Sequence, residues 1–421
     1  MIGEIIAIGD ELTTGRILNT TSCFAARELF VAGYEIHAIH TIGDQEELIG
    51  EMLQQAIERV DFVIVTGGLG STSDDLTNEA VSRALERPST FYPEIYGEIQ
   101  NQSAENSAQE EAGNLEKIAW LPEGAEVLNI KARMAGYLLV HRNTPIFFLP
   151  GVPSQMKELL VEQVLPRLAA WPTNNRAHVR QRVFKVFGLG ENQVNTRLRD
   201  IEKSDCYSIG YYPVKSEVHV SLTVLRHHAR EAEELFAWAE QRIRAALTPY
   251  CYGTDNDTMA SVVGTLLSRQ NMTLATAESC TGGLIGSCIT ATPGSSEWYL
   301  GGAITYSNDL KEEITGVAHD LLLAHGAVSA PVAEQMAAGI VQRTGADMGV
   351  AVTGIAGPGG GSREKPVGTV YMGLAHKKHV QHRLFHFSGN RHQIQHMTAQ
   401  TALDLVRRHV MGGENYGLIK P

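Results

Sequence analysis

The sequence predicts an α/β fold, organised as two α/β domains with mostly parallel sheets joined by a small α+β module. Three observations predict it. The first third alternates short apolar runs with helical patterns. The last third repeats that rhythm with glycine-rich turns between its elements. A shorter middle segment pairs alternating strand patterns with one long amphipathic helix. An apolar run followed by a helical pattern and a further run is the signature of strands that pair in parallel beneath covering helices.

In the first domain, residues 1–171, "IGEIIAIGD" reads as a strand, a helix follows from about Thr20, and "EIHAIHTIG" is the next strand. A helix around 45–59 and the strand "VDFVIVTGG" complete a βαβαβ unit, whose ligands belong at the strand C-termini. The polar "GEIQNQSAENSAQEEAGN" reads as a solvated helix end or loop, and "TPIFFLPGVPSQMKELL" returns to strand, turn and helix. The middle module, 178–250, supplies "RVFKVFGLG", a helix from Glu191, the alternating strand "EVHVSLTVL" and the helix "REAEELFAWAEQRIRAAL". "TPYCYGTDND" reads as a loop leading into the third domain, 256–415.

Composition narrows the function. The chain has 421 residues, is 43% hydrophobic and has a net charge of −12, with Lys and Arg outnumbered 35 to 47 by Asp and Glu. Such a balance argues against nucleic acid as a main partner, because phosphate backbones need a dense cationic face. Five cysteines without a CxxC pair suggest neither a zinc ribbon nor a disulfide framework, so a reducing cytoplasm fits. "MIGEIIAIGDEL" lacks the features of a signal peptide, and no apolar run approaches the ~20 residues of a membrane span. A cytoplasmic protein without membrane partners is expected.

The chemistry concentrates in the third domain. "MTLATAESCTGGLIGSCIT" reads as a strand ending near Ala277, a tight turn, and a helix starting near Gly283. Ser279, Cys280 and Thr281 then sit at a helix N-terminus, where unpaired N–H groups favour an oxyanion and a hydroxyl can serve as nucleophile. The same octet fits an N-cap beside a small buried cysteine. The pattern G-x-S-x-G is absent, because Ala277 stands two before Ser279, which argues against a serine esterase.

Downstream, "GGAITYSNDLKEEITGV" carries Tyr306 and Lys311. A lysine acts as base towards a serine if a dry pocket lowers its pKa from about 10.4 towards neutrality; otherwise Lys311 is a solvated helix lysine. "VTGIAGPGGGSREKPVGTV" supplies Thr353, Gly354 and a glycine-rich loop, and "FSGNRHQIQH" supplies Arg391, a side chain able to clamp a phosphate or carboxylate. His392 and His396 are four apart but lack the HExxH glutamate, so exposed helix histidines fit them better than zinc ligands.

Taken together, "AESCTGG", "GAITYSNDLK", "HGAVS", "TGIAGPGGGSREKPVGTV" and "FSGNR" closely resemble the C-terminal domain of the CinA family, nicotinamide mononucleotide deamidases. The resemblance implies Ser279 as catalytic serine, with Tyr306 and Lys311 as its activating partners. It also implies a substrate site at Cys280, Thr281, Gly282, Thr353, Gly354 and Arg391, and no cofactor for the deamidase. "GDELTTGRILNTTS", "VTGGLGSTSDDLT" and "LPGVPSQM" resemble the same family's first domain, which is related to the molybdopterin-binding fold of MogA and MoeA.

Similar first domains cleave ADP-ribose with a divalent metal ion. That implies nucleotide binding at Gly67, Gly68, Gly70 and Ser71 and metal ligands at Asp10, Asp74 and Asp75, hard oxygen donors suited to such an ion. Each aspartate also fits a helix N-cap or first-turn acid. This chain departs from the family at Ser71, where proline is usual, and at neutral Gln155, where a glutamate is usual. The middle module resembles the family's KH-type linker without a positive GxxG loop, which implies a spacer or dimer contact and not an RNA binder.

Small-molecule nucleotide substrates and a homodimer are therefore expected. The competing reading makes the first domain a nucleotide- or pterin-binding scaffold without turnover. A DNA-handling role has only the family's name behind it, and the acidic charge gives it no help.

Overall fold

The structure is a computed structural model that describes residues 1–105, 115–129, 136–172 and 177–412. The chain falls into two compact units, Met1–Gln181 with Val224–Phe236, and Arg182–Thr223 with Ala237–Pro421. Among the described residues no helix is long and apolar enough to cross a membrane.

The first unit is built on strands β1 (Ile2–Ile8), β2 (Glu35–Ile42), β3 (Phe62–Thr66), β4 (Ser89–Phe91), β5 (Trp120–Pro122), β6 (Glu126–Val127), β7 (Tyr137–His141) and β8 (Thr144–Leu149). Its main sheet has the order β2-β1-β3-β8-β7-β6. The pairs β1–β2, β1–β3 and β3–β8 are parallel, whereas β7–β8 and β6–β7 are antiparallel. Helices cover both faces, so the central strands are continuous apolar runs: Ile6, Ile8, Val63 and Val65 pack with Ile49 and Leu53, while Ile5, Ile64 and Phe62 pack with Ala25, Leu29 and Met156.

The charged residue of β1, Glu4, is fully buried and accepts hydrogen bonds from Arg59 Nε (3.1 Å) and Nη2 (2.9 Å). Such a pairing is what lets a carboxylate sit in a core strand. Of the polar stretch beginning at Gly97, the part to Glu105 ends the helix Pro93–Glu105, and 106–114 lies outside the described residues.

Strands β9 (His178–Phe187), β10 (Ser208–Val214), β11 (Glu217–Arg226) and β12 (Cys251–Thr254) form a four-stranded sheet of order β10-β11-β9-β12. β12 corrects the reading of 248–257 as a loop, since Cys251 and Thr254 pair antiparallel with Val186 and Phe184. The strand is short, carries a register shift between Cys251 and Gly253, and follows Pro249, so its local signals are those of a turn.

The C-terminal sheet comprises β13 (Leu274–Glu278), β14 (Tyr299–Ile304), β15 (Met348–Gly354), β16 (Thr369–His376) and β17 (His379–His386), in the order β14-β13-β15-β16-β17. β13 runs parallel to both neighbours, and β16 and β17 extend the sheet antiparallel. Met348, Val350 and Val352 face Ile394, Leu403 and Val406 of the helix Arg391–Val410, whereas Ala275, Ala277 and Ala351 face Met336 and Ile340 of the helix Ala330–Thr344.

In each parallel core, consecutive connections leave the first strand towards opposite sides. β1 lies between β2 and β3, and β13 between β14 and β15. A crevice opens at the C-terminal ends of strands where the direction reverses, and there each unit carries its clustered polar residues.

Candidate functional site

Ser279 follows the last residue of β13, at the mouth of the C-terminal crevice. The turn after it works because Gly282 (φ 62°) and Gly283 (φ 99°) both take left-handed backbone conformations, which side chains other than glycine rarely adopt. The helix Leu284–Thr290 then begins. Its first amides are not open to a ligand, which corrects the sequence expectation. Glu278, 2% exposed, turns its carboxylate into the helix start. Oε2 accepts from Thr281 Oγ1 (2.7 Å), Gly283 N (3.0 Å) and Ile285 N (3.0 Å), and Oε1 accepts from Gly286 N (2.8 Å).

A buried carboxylate here satisfies the orphan N–H groups and suits the dipole, so Glu278 is the anion of this helix start. Thr281 and Gly282 are therefore structural and do not line the cavity beside Ser279. Ser279 N donates to Val352 O, and Gly282 N donates back to Ser279 O. Among the described residues, the amides of Cys280 and Thr281 have no backbone acceptor.

Lys311 lies on the helix Asn308–Thr315, capped by the Ser307 hydroxyl, and is 1% exposed. Its Nζ stands 3.1 Å from Ser279 Oγ, 2.8 Å from Thr305 O and 3.3 Å from Tyr306 O. Burial pushes its ammonium below the usual lysine range, a shift the neighbouring Cys280 only partly opposes. A neutral amine has two N–H donors and one lone pair. Two carbonyls take the donors, and the lone pair is left for the Ser279 hydroxyl. Cys280 is also buried, and burial pushes its thiol up to about 12, so it is no competing thiolate near neutral pH.

The cavity beside this pair measures about 210 Å³, and its other walls include Tyr306, Asn308, Thr353, Gly354 and Arg391. Tyr306 is 60% exposed, and its hydroxyl accepts from Arg391 Nη2 at 3.2 Å. Only its backbone carbonyl meets Lys311, which corrects the expectation of a phenol activating the serine. Arg391 also donates to Gly357 O at 2.8 Å, an anchor that holds its guanidinium at the rim. The Thr353 hydroxyl is committed to Ala327 O (2.8 Å) and so braces the cavity wall. Sequence reasoning missed Glu278 and Asn308; an acid directly before the serine and ahead of a Gly-Gly helix start was the available signal for the first.

In the first unit, Asp10, Gly67 and Gly151 gather beyond the ends of β1, β3 and β8. A Cβ on Gly67 would stand 2.2 Å from Ile8 O, and one on Gly68 would stand 2.2 Å from Thr77 Oγ1, so both glycines permit close backbone packing. Gly67 N donates to Leu149 O, so its amide is not free for the nucleotide binding expected at Gly67, Gly68, Gly70 and Ser71. Gly70 packs over the Asp75 carboxylate, and Ser71 beside it is half-buried.

Asp75 accepts from Thr72 N (2.9 Å) and from the Thr72 hydroxyl, so it closes its own turn. Thr72 also holds Asp74 below the usual carboxylate range. Asp10 meets Asp44, which sequence reading did not single out: Asp10 N donates to Asp44 Oδ2 (2.8 Å) and Asp44 N to Asp10 Oδ1 (3.3 Å). Burial raises the Asp44 pKa, with the charges of Asp10, Glu11 and Asp74 adding to the effect. Among the described residues no three His, Cys, Asp or Glu side chains are grouped to hold a metal ion, so Asp10, Asp74 and Asp75 do not fit one as a set. Gln155 Oε1 is buried without a partner among the described residues.

Comparison with known proteins finds three family matches along the chain. Residues 256–410 match the family described as "CinA C-terminal domain", 181–253 the "Damage-inducible protein CinA KH domain", and 4–170 the "Probable molybdopterin binding domain". The chain is 53% identical to a CinA-like protein of Desulfotalea psychrophila over 97% of its own length and 98% of that protein. It is 39% identical to a CinA-like protein of Syntrophobacter fumaroxidans, covering 98% of this chain and 97% of the relative. The crystal structure of the competence/damage inducible protein CihA from Agrobacterium tumefaciens is 42% identical across 35% of this chain and 90% of its own, with a TM-score of 0.34.

Proposed function

Since this chain belongs to the CinA family, we propose that its C-terminal domain is a serine amidohydrolase that converts nicotinamide mononucleotide to nicotinate mononucleotide and ammonia. The observation that carries the reading is the 3.1 Å approach of a buried lysine amine to Ser279 Oγ inside a cavity. Ser279 Oγ attacks the carboxamide carbon while Lys311 Nζ takes the hydroxyl proton. We assign the tetrahedral oxyanion to the amide of Cys280, which lines the cavity and whose N–H has no backbone acceptor among the described residues. Lys311 returns the proton to the departing nitrogen, ammonia leaves, and an ester remains on Ser279. Water then repeats the cycle with Lys311 as base and releases the carboxylate.

Arg391, at the rim, is the group for the substrate's phosphate. Charge-assisted contacts of this kind contribute about 1.5–3 kcal/mol, so Arg391→Ala is expected to raise KM for nicotinamide mononucleotide by roughly tenfold or more. Nicotinamide riboside, which lacks the phosphate, should lose little. Full-length protein assayed for ammonia with both compounds tests this: no release from the mononucleotide would sink the activity, and equal losses on both compounds would sink the phosphate role.

For the first unit, the reading we favour is a nucleotide- or pterin-binding domain at the crevice beyond β1 and β3. The carboxylates there accept from Thr72 and from the backbone amides of Asp10 and Asp44, so no metal-dependent step is assigned to them. Full-length protein mixed with ADP-ribose and Mg²⁺ should bind the nucleotide without releasing AMP. Metal-dependent AMP release would replace this reading by a pyrophosphatase.

A further inference from the structure

A second cavity, about 460 Å³, lies on the other side of the helix that carries Arg391. The turn between β10 and β11 contributes Lys215 and Ser216, and the start of the helix Arg391–Val410 and the residues before it contribute Ser388, His392, His396 and Met397. The resemblance assigns a role to none of these side chains, although Ser388 lies in the motif "FSGNR". Lys215 has no carboxylate partner among the described residues, while the nearby Glu217 carboxylate is already bonded by Tyr252 (2.7 Å) and His219 (3.1 Å). One nitrogen of His396 is taken by Ser216 Oγ at 3.2 Å. Burial and the charge of Lys215 lower its pKa, so near neutral pH its ring offers hydrogen bonds and not a second fixed charge.

The polar groups therefore comprise one ammonium without a carboxylate partner among the described residues, the Ser216 and Ser388 hydroxyls, two imidazoles and the Gln393 amide, whose oxygen already accepts from Asn390 N, set in a wall that is mostly carbon. A space of this size is in the range of organic-ligand pockets and is too large and too apolar to be filled by an inorganic anion alone. A phosphate monoester with a flat or apolar body matches both parts.

The helix links the two cavities. Arg391 reaches Gly357 O and the Tyr306 hydroxyl on one side, and Gln395 Nε2 donates to Cys280 O (2.9 Å), next to the nucleophile. His392 and His396 line the other side. We propose that the cavity formed by Lys215, Ser388, His392 and His396 is a second ligand site that takes a phosphorylated organic anion of the nucleoside monophosphate class, and that its occupancy is felt at Ser279 through the helix Arg391–Val410. The coupling half rests on the amidohydrolase reading, whereas the binding half does not.

Calorimetric titration of the full-length protein with AMP, adenosine and inorganic phosphate separates the contributions. Lys215→Asn suits the test, because Asn tolerates the left-handed backbone at this position (φ 53°). His392→Ala is the second variant, and an unchanged melting temperature confirms folding. AMP is expected to bind more tightly than adenosine or phosphate, and each variant should weaken one AMP site by about tenfold. AMP should also shift KM for nicotinamide mononucleotide in the parent and not in Lys215→Asn. AMP binding untouched by both variants would overturn the site, and unaltered KM despite binding would overturn the coupling. Loss of AMP binding in the variants of a protein that never turns over the mononucleotide would keep the site and remove only the amidohydrolase.

Discussion

Replacing Ser279 by Ala is expected to lower ammonia release from nicotinamide mononucleotide by a factor on the order of 10⁴ or more, with no loss of fold. The hydroxyl oxygen is the only heavy atom removed, and Cys280 beside it stays a thiol because burial pushes it up to about 12. Lys311→Met should cost a similar factor, and the double variant little beyond either single one, because a nucleophile and its base act as a unit.

The pH dependence distinguishes a base from a mere neighbour. Lys311 works only when neutral, so activity should be lost as pH falls below its folded pKa and should rise with pH through that value. Burial places this limb below the ordinary lysine value of 10.5. Lys311→Arg should be inactive at every pH, since a guanidinium does not give up its proton. Rate measurements from neutral to alkaline pH check both statements. Near-parental turnover by Ser279→Ala, or an alkaline limb that survives in Lys311→Met, would end the assignment.

The same linkage acts on stability with a defined sign. The unfolded chain holds the Lys311 proton up to about the ordinary lysine value of 10.5, whereas the folded chain gives it up earlier. The unfolded state therefore binds more protons between the two values, and this residue contributes stability that rises with pH across that window. At neutral pH its burial is a cost. Such a cost is typical of sites that hold a base ready for reaction.

Much of this arrangement was legible in the sequence. Apolar runs at β1, β3, β13 and β15 marked strands buried on both faces, and the ends of such strands are where ligand sites lie. Ser279 and Lys311, 32 positions apart, were singled out by residue type and motif order, and the structure brings them within hydrogen-bond distance.

What sequence did not carry was the direction in which a side chain turns. Thr281 and Thr353 spend their hydroxyls on Glu278 and Ala327, and the Tyr306 phenol turns to Arg391. Asp75 closes its own turn on Thr72 and is neither the N-cap nor a first-turn acid of the helix Thr77–Ala84. Each depends on a rotamer set by tertiary neighbours, which local spacing does not encode. β12 was missed for a related reason, since a short strand owes its existence to β9 and not to its own residues.

Glu278→Gln should be the most damaging near-isosteric change in the C-terminal domain. The carboxylate accepts four hydrogen bonds from the turn and helix it precedes. An amide keeps one accepting oxygen and replaces the other by an N–H₂ group. In the better orientation that group faces Gly286 N, donor against donor; in the other it faces Thr281 Oγ1, Gly283 N and Ile285 N. Charge-assisted bonds are weakened as well, so a loss of about 2–4 kcal/mol is expected in urea unfolding. Glu278→Asp should also suffer, because a side chain one methylene shorter does not span Oε1 to Gly286 and Oε2 to Thr281 together.

Turnover should fall too, since Ser279 is the next residue and its Oγ must stay within reach of Lys311. The pH profile separates this positioning role from an electrostatic one. The Lys311 shift comes from burial, with Cys280 opposing it and Glu278 not among the contributors. Glu278→Gln should therefore lower kcat while leaving the alkaline limb where it was. A variant with parental stability, or one whose limb moves while kcat at high pH is kept, would show that the carboxylate acts through its charge and not by holding the turn.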